Sequence, residues 1–523
     1  MHTTPIAALA VLALAAAGNA PAAEPEGEQA AVHVLNRLGY GPRPGDIQRV
    51  TRMGVERYID AQLHPETLPL PASLERKLAA LSTRQMPVGE LLARFRPGGN
   101  GQERAQAQEA RREVARAVTE DDAYAKLVRA IESPRQLEEV MVDFWFNHFN
   151  VFAGKGLDRV LVADYEDKAI RPYVFGRFRD LLGATAHHPA MLFYLDNWLS
   201  AAPGSEPLRG NGKAANATGL NENYARELME LHTLGADGPY SQRDVTELAR
   251  ILTGWTFRPR EMMQGGPTFR FEPRRHDFGD KIWLGRHVGG RGQAEGEWAL
   301  DVLASHPATA RRIASKLAQF FVADDPPPAL VERLSRRFLD TQGDIRAVLL
   351  TLFQSREFRD AAGSGSKFKT PYQFVVSAVR AADLPVANPR PLMGMLHQLG
   401  MPIYGCQTPD GYKNTEDAWV NADAMTKRIN FATALASGRL PLARPLGAEG
   451  DRPDGMRRTA HTERSERSER ELLVRWDSEP VDAAALQATL GSQLKPKTLQ
   501  AVAAAEPALR AALILGSPDF MRR

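Results

Sequence analysis

Asn221 to Gly235 reads NENYARELMELHTLG, and Tyr240 to Trp255 reads YSQRDVTELARILTGW. In the first stretch a helical period puts Tyr224, Leu228 and Leu231 on one apolar stripe, and Gly235 is placed to stop the helix. Glu227 falls on one edge of that stripe and His232 on the opposite edge. Asn223, Glu227 and Glu230 share a face, and Arg226 can pair with Glu230 across one turn. In the second stretch Ser241 and Asp244 have capping-box spacing, with Val245, Leu248 and Leu252 as the buried stripe. Glu247 and Arg250 leave that stripe and can face the preceding helix. The two stretches therefore predict a helical hairpin joined through residues 235–239.

Working outward, the same three- and four-residue apolar spacing recurs from about Ala31 to the C-terminus, with polar caps before it and Gly or Pro after it. Strand-like alternation is scarce. The stretch from Gly265 to Gly296, with Phe269, Phe271, Ile282 and Trp283, predicts a small hairpin or an ordered loop. The expected fold class is mainly α, a large multi-helix assembly with that one insertion. Residues 31–300 form a helical N-terminal body carrying the polar motifs, and residues 301–523 a helical C-terminal portion. Asp324 to Ala329 is a Pro-rich break between helices. Pro97 to Asp122, dense in Arg, Glu, Gln and Ala, reads as an exposed helix. Residues 444–470, with tandem TER and SER triplets from Thr462, read as a flexible insertion.

The chain has 523 residues, 43% hydrophobic content and a net charge of +3, which gives no electrostatic case for nucleic acid. Residues 1–22 hold a small-apolar run from Ile6 to Ala17 and an Ala-Pro-Ala stretch, the pattern of a cleaved signal peptide. That run is too short to cross a bilayer and no comparable run follows, so the mature chain is expected to be exported, periplasmic or extracellular, without a transmembrane segment. Cys406 is the sole cysteine, and stability must come from core size.

Several polar groups are candidates for chemistry. A half-buried carboxylate such as Glu227, beside an apolar stripe, acquires a raised pKa and can act as a general acid or base; the alternative is an ordinary salt-bridged helix edge. LEEVMVDFWFNHFNVF, residues 137–152, sets Asp143, Asn147, His148 and Asn150 among large apolar residues, and buried polar groups need partners. Asp143 and Asn147 can bond each other or a neighbouring helix. Asp196 and Asn197 on one side of a Gly/Asn-rich loop, and Glu222 and Asn223 on the other, can converge on a sugar, a peptide or a hard cation, or simply cap helix termini. His276 opens a further loop motif, His276 to Lys281. The metal and cofactor stay unknown: a divalent cation would suit the oxygen ligands, and no haem, nucleotide or flavin signature occurs. HExxH, CxxC, GxSxG and Walker A patterns are all missing.

WFNHFNVF at 145–152, HPAMLFYLDN at 188–197, the two stretches quoted first, HDFGDKIWLG at 276–285, TPDGY at 408–412 and SPDFMRR at 517–523 together resemble the bacterial family called "domain of unknown function 1800". The resemblance implies a large exported helical protein. It also implies a partner by gene association, an exported sulfatase-like protein of the "domain of unknown function 1501" family.

These readings give one leading expectation: an exported hydrolytic enzyme with Glu227 as general acid/base, His232 or His148 assisting, and Arg226 orienting an anionic group. Asp196, Asn197, Glu222, Asn223 and His276 would bind substrate. The rival expectation is a non-catalytic binding, secretion or stabilising partner of the sulfatase-like protein, whose polar motifs specify helix packing. A polysaccharide-binding module would need a row of exposed aromatics, and Trp255, Trp283 and Trp419 are too dispersed for one.

Overall fold

The computed structural model describes residues 25–95, 102–205, 219–360, 367–444 and 479–523. The expected signal peptide and nearly all of the 444–470 insertion lie outside the described residues. The fold is mainly α, with two small antiparallel strand pairs among the described residues. One connected set of buried apolar side chains runs from Ala31 to Met521. Residue 300 lies within the Gln293–Ala304 helix. Bonds such as Asn36 Nδ2 to Gln493 Oε1 (3.2 Å) join the two ends of the chain. No helix among the described residues is long and apolar enough to cross a membrane.

Of the stretch expected as an exposed helix, residues 97–101 lie outside the described residues and 102–122 form the outer part of a longer helix, Gln102–Glu132. Its inner part is buried through Leu127, Val128 and Ile131, and carries Lys126 into the core. There Lys126 Nζ meets Glu166 at 2.9 Å and Asp143 at 3.3 Å, so Asp143 finds its partner on a neighbouring helix. Tyr404 donates to Glu166 (3.0 Å), and Arg171 makes two bonds to Glu139 (2.9 and 3.0 Å). These buried charges satisfy one another, which is the condition for burying them at all.

The expected hairpin is present. Lys281–Trp283 pairs with Arg286–Val288, Lys281 opposite Val288 and Trp283 opposite Arg286. The connecting residues Leu284 and Gly285 both have positive φ (47° and 71°), the geometry whose twist matches paired strands. Glycine adopts it freely. Leu284 does not, and its N–H is held by the Asp244 carboxylate at 2.8 Å. The same Asp244 closes the capping box with Ser241 on the Gln242–Ile251 helix. A hairpin this small needs an anchor. Lys281 supplies it, bonding Glu295 at 2.8 Å, while His276 Nε2 reaches the other oxygen of Glu295 at 3.1 Å. All three side chains are fully buried.

Two outcomes follow. Glu295→Ala leaves the Lys281 ammonium buried without its counter-charge and should cost about 3–5 kcal/mol of unfolding free energy, read by urea denaturation. Burial acts to raise the Glu166 carboxyl, but Lys126 and Arg171 outweigh it and pull the pKa from the ordinary 4.5 down to about 2. A depressed carboxyl contributes stability that is fully present above its unfolded pKa and is lost as pH falls towards the folded one. Thermal melting across that acid window should therefore fall less steeply in Glu166→Gln than in the parent chain. Equal slopes would remove Glu166 from the acid response.

Candidate functional site

The end of the Gln136–His148 helix carries three polar residues, Asn147 half-buried and His148 and Asn150 buried. Asn147 clasps Tyr412: its Nδ2 donates to the Tyr412 carbonyl (2.8 Å) and its Oδ1 accepts the Tyr412 N–H (2.7 Å). Asn150 Nδ2 donates to the carbonyls of Cys406 (3.0 Å) and Thr408 (2.8 Å), and the Tyr194 hydroxyl donates to that of Gln407 (2.8 Å). The loop Cys406–Tyr412 is thereby held by its own backbone. Gly411 has φ of 73°, and a Cβ there would lie 2.2 Å from the Asn147 carbonyl oxygen, so the approach requires glycine.

The first stretch of the helical hairpin departs from its expected period. Asn223–Glu227 is α-helical, but Leu228–His232 is a π-turn. The wider turn rotates the following side chains: Leu231 is only half-buried, and His232 takes the core position. Such turns recur at functional sites. His232 then lies against Phe149 (ring centroids 5.1 Å apart) and His148 (6.2 Å).

His148 Nε2 is 3.1 Å from the His232 carbonyl oxygen, and its Nδ1 is 3.1 Å from Lys316 Nζ on the Pro307–Phe321 helix. A carbonyl can only accept, so Nε2 carries the proton and Nδ1 offers a lone pair. Burial, then the charges of Lys316 and neighbouring groups, pushes the His148 pKa far below its usual value. The same causes bring His232 down to about 3. Both imidazoles are neutral at ordinary pH. Lys316 is drawn down to about 7 by burial and by Arg312, against the opposing pull of Asp410.

Glu227 is half-buried, and no described residue hydrogen-bonds or ion-pairs with it. Burial raises its carboxyl, with Glu230 and Asp410 adding to the effect and Arg226 opposing it. Asp410, in the clasped loop, is lowered by hydrogen bonds from Thr408 and Lys413 that outweigh its desolvation. Two carboxyl groups that feel each other are thus driven in opposite directions. Tyr194, whose hydroxyl feels Cys406, Asp158 and Glu227, borders the same space.

The remaining sequence candidates lie around this centre or apart from it. Arg226 does not pair with Glu230: its Nη2 reaches Glu222 (3.3 Å) and Gln242 (2.9 Å). Glu222 also accepts from Gln242 (2.8 Å) and Thr246 (2.6 Å), so this group stitches the helical hairpin together. Arg250 faces Asp277 (2.8 Å) as well as Glu247 (2.7 Å), away from the preceding helix. Asp196, at φ of 59°, pairs with Lys155 (2.9 Å), while Asn223 Nδ2 donates to the Leu195 carbonyl (3.4 Å). Asn197 Nδ2 serves the carbonyls of Leu252 (3.3 Å) and Trp255 (3.1 Å). His276 belongs to the Lys281–Glu295 anchor.

Three groups escaped the sequence reading: Lys316, Asp410 and Asp158. Lys316 and its helix look like any amphipathic segment, and nothing in ASKLAQ marks the lysine as inward-facing. Asp410 sits in TPDGY, a motif whose spacing alone implies only a turn. Asp158 is fully buried with neither carboxylate oxygen hydrogen-bonded among the described residues, and burial holds its pKa well above the usual range. Among the described residues no group of three His, Cys, Asp or Glu side chains is placed to hold a metal ion.

A family model described as "Protein of unknown function (DUF1800)" matches residues 33–522. No curated protein and no solved structure matches the chain. With nearly its whole length matched, from the first buried helix to the penultimate residue, the chain belongs to the DUF1800 family.

Proposed function

We propose that this chain is an exported hydrolase in which Glu227 is the general acid and Asp410 the general base. The observation that carries this reading is the pairing of an unpartnered, half-buried Glu227 carboxyl, raised by burial, with an Asp410 held ionised by its own hydrogen bonds. Carboxyls whose surroundings push their pKa values apart are suited to donate and accept a proton at one pH. Glu227 gives its proton to the leaving group, and Asp410 takes one from the attacking water. His148 and His232, both neutral, form the dry wall behind them. Among the described residues Arg226 is bonded only through Nη2, which keeps other donors for an anionic substrate group.

The second reading is a non-catalytic partner of an exported sulfatase-like protein. It is favoured by the number of polar motif residues already satisfied by neighbours, Glu222, Asn147 and His276 among them.

The test is a panel of chromogenic esters, glycosides, phosphoesters and peptides on the purified chain. Glu227→Gln and Asp410→Asn should each lower the hydrolytic rate by about a hundred-fold or more with little change in melting temperature. Activity should fall at high pH, as Glu227 loses its proton, and at low pH, as Asp410 gains one. A rate that survives Glu227→Gln rejects the assignment. No hydrolysis across the panel, with co-purification of the sulfatase-like protein, would favour the second reading.

A further inference from the structure

We propose that Lys316 is a carbonyl-reactive amine, oriented by His148, that forms an imine with a small aldehyde or keto compound. It does not rest on the Glu227 reading. The geometry is that of a nucleophile, a hydrogen-bond acceptor and an orienting group in series. Lys316 Nζ is 3.1 Å from His148 Nδ1, and His148 Nε2 is 3.1 Å from the His232 carbonyl. That carbonyl holds the imidazole in the one tautomer whose Nδ1 accepts a hydrogen bond from the amine and so orients it. The π-turn at Leu228–His232 puts the carbonyl there, so an irregular piece of helix has a direct consequence for the imidazole.

Every charged or titratable group facing Lys316 is accounted for. Arg312 and Lys413 disfavour its ammonium form, Asp410 favours it, and the two histidines are neutral. Burial beside other cations is a known way to keep a lysine amine unprotonated near neutral pH. Lys316 itself is half-buried, and Asp410 and Lys413 beside it have side chains 36% and 68% exposed, which leaves an approach for a small molecule.

The step balances within the site. The nitrogen lone pair attacks the carbonyl carbon, a C–N bond forms, and the carbon–oxygen π pair moves to oxygen. Both N–H protons pass in turn, through solvent water, to the former carbonyl oxygen; as the nitrogen lone pair forms the C=N bond the C–O bond breaks, and the oxygen leaves as water. The product is the imine, with no redox change.

The first experiment is incubation of the full chain with glyoxylate, followed by borohydride reduction and peptide mapping. The expected result is one dominant adduct at Lys316, formed at least about ten-fold faster than at any exposed lysine. Lys316→Arg should abolish it. His148→Leu, which removes the acceptor that orients the amine, should slow it by about ten-fold or more, and His148→Gln, which keeps an acceptor there, should restore much of the rate. Adducts spread over exposed lysines, with Lys316 unmodified, overturn the proposal. A measurement on the unmutated chain guards against misfolded variants: trace acetylation of Lys316 should rise with pH around an inflection near 7. An inflection at the ordinary lysine value overturns the proposal as well.

Discussion

Two hydrogen bonds from the Asn147 amide to the Tyr412 backbone join positions 265 residues apart in the chain. A primary amide matches the peptide N–H and C=O of one residue with its own acceptor and donor, so the clasp satisfies both sides at once. Asn150 and Tyr194 extend it to Cys406, Gln407 and Thr408. The arrangement around Asp410 depends on this clasp, because it fixes the backbone from which the Asp410 side chain pairs with Lys413 and influences the charges of Glu227 and Lys316. The close approach at Gly411 is the steric counterpart of the same constraint.

Around that clasp, buried charge is handled in two ways. Lys126 with Glu166, and Lys281 with Glu295, are ion pairs whose remaining valences are filled by tyrosine, histidine and backbone groups. Such networks hold elements in register and leave little for a ligand. Glu227, Lys316 and Asp158 are different, for each is removed from water without a matching counter-charge in hydrogen-bond contact. The cost of desolvation then appears as a displaced pKa, which keeps Asp158 and Glu227 towards the neutral acid and Lys316 towards the neutral amine.

The helical nature of the chain was legible because a 3.6-residue period repeats over hundreds of residues and caps mark its ends, Ser241 with Asp244 being one case. The hairpin within Gly265–Gly296 was legible from aromatic residues among glycines. Glu227 stood out because a carboxylate on the edge of an apolar stripe is half-buried in any packing of that helix. His232 and Leu231 exchanged places because a π-turn leaves no mark in composition or in the 100° wheel. Arg226 chose Glu222 over Glu230 for the same reason, since the turn beyond Glu227 is wider than an α-helical one.

What the sequence determined by itself was local: where helices start and stop, which faces are apolar, and which motifs bring polar side chains into apolar surroundings. Those properties depend on neighbours within one or two turns, and a linear pattern records them. The tertiary structure alone decided that TPDGY packs on the end of the 136–148 helix, that Lys316 faces His148, and that the Asp158 carboxylate is sealed with no hydrogen-bond partner among the described residues. Each of these requires segments far apart in the chain to arrive at one place. The displaced proton affinities follow from that arrival, because desolvation is set by what surrounds a group in space and not by what adjoins it in sequence.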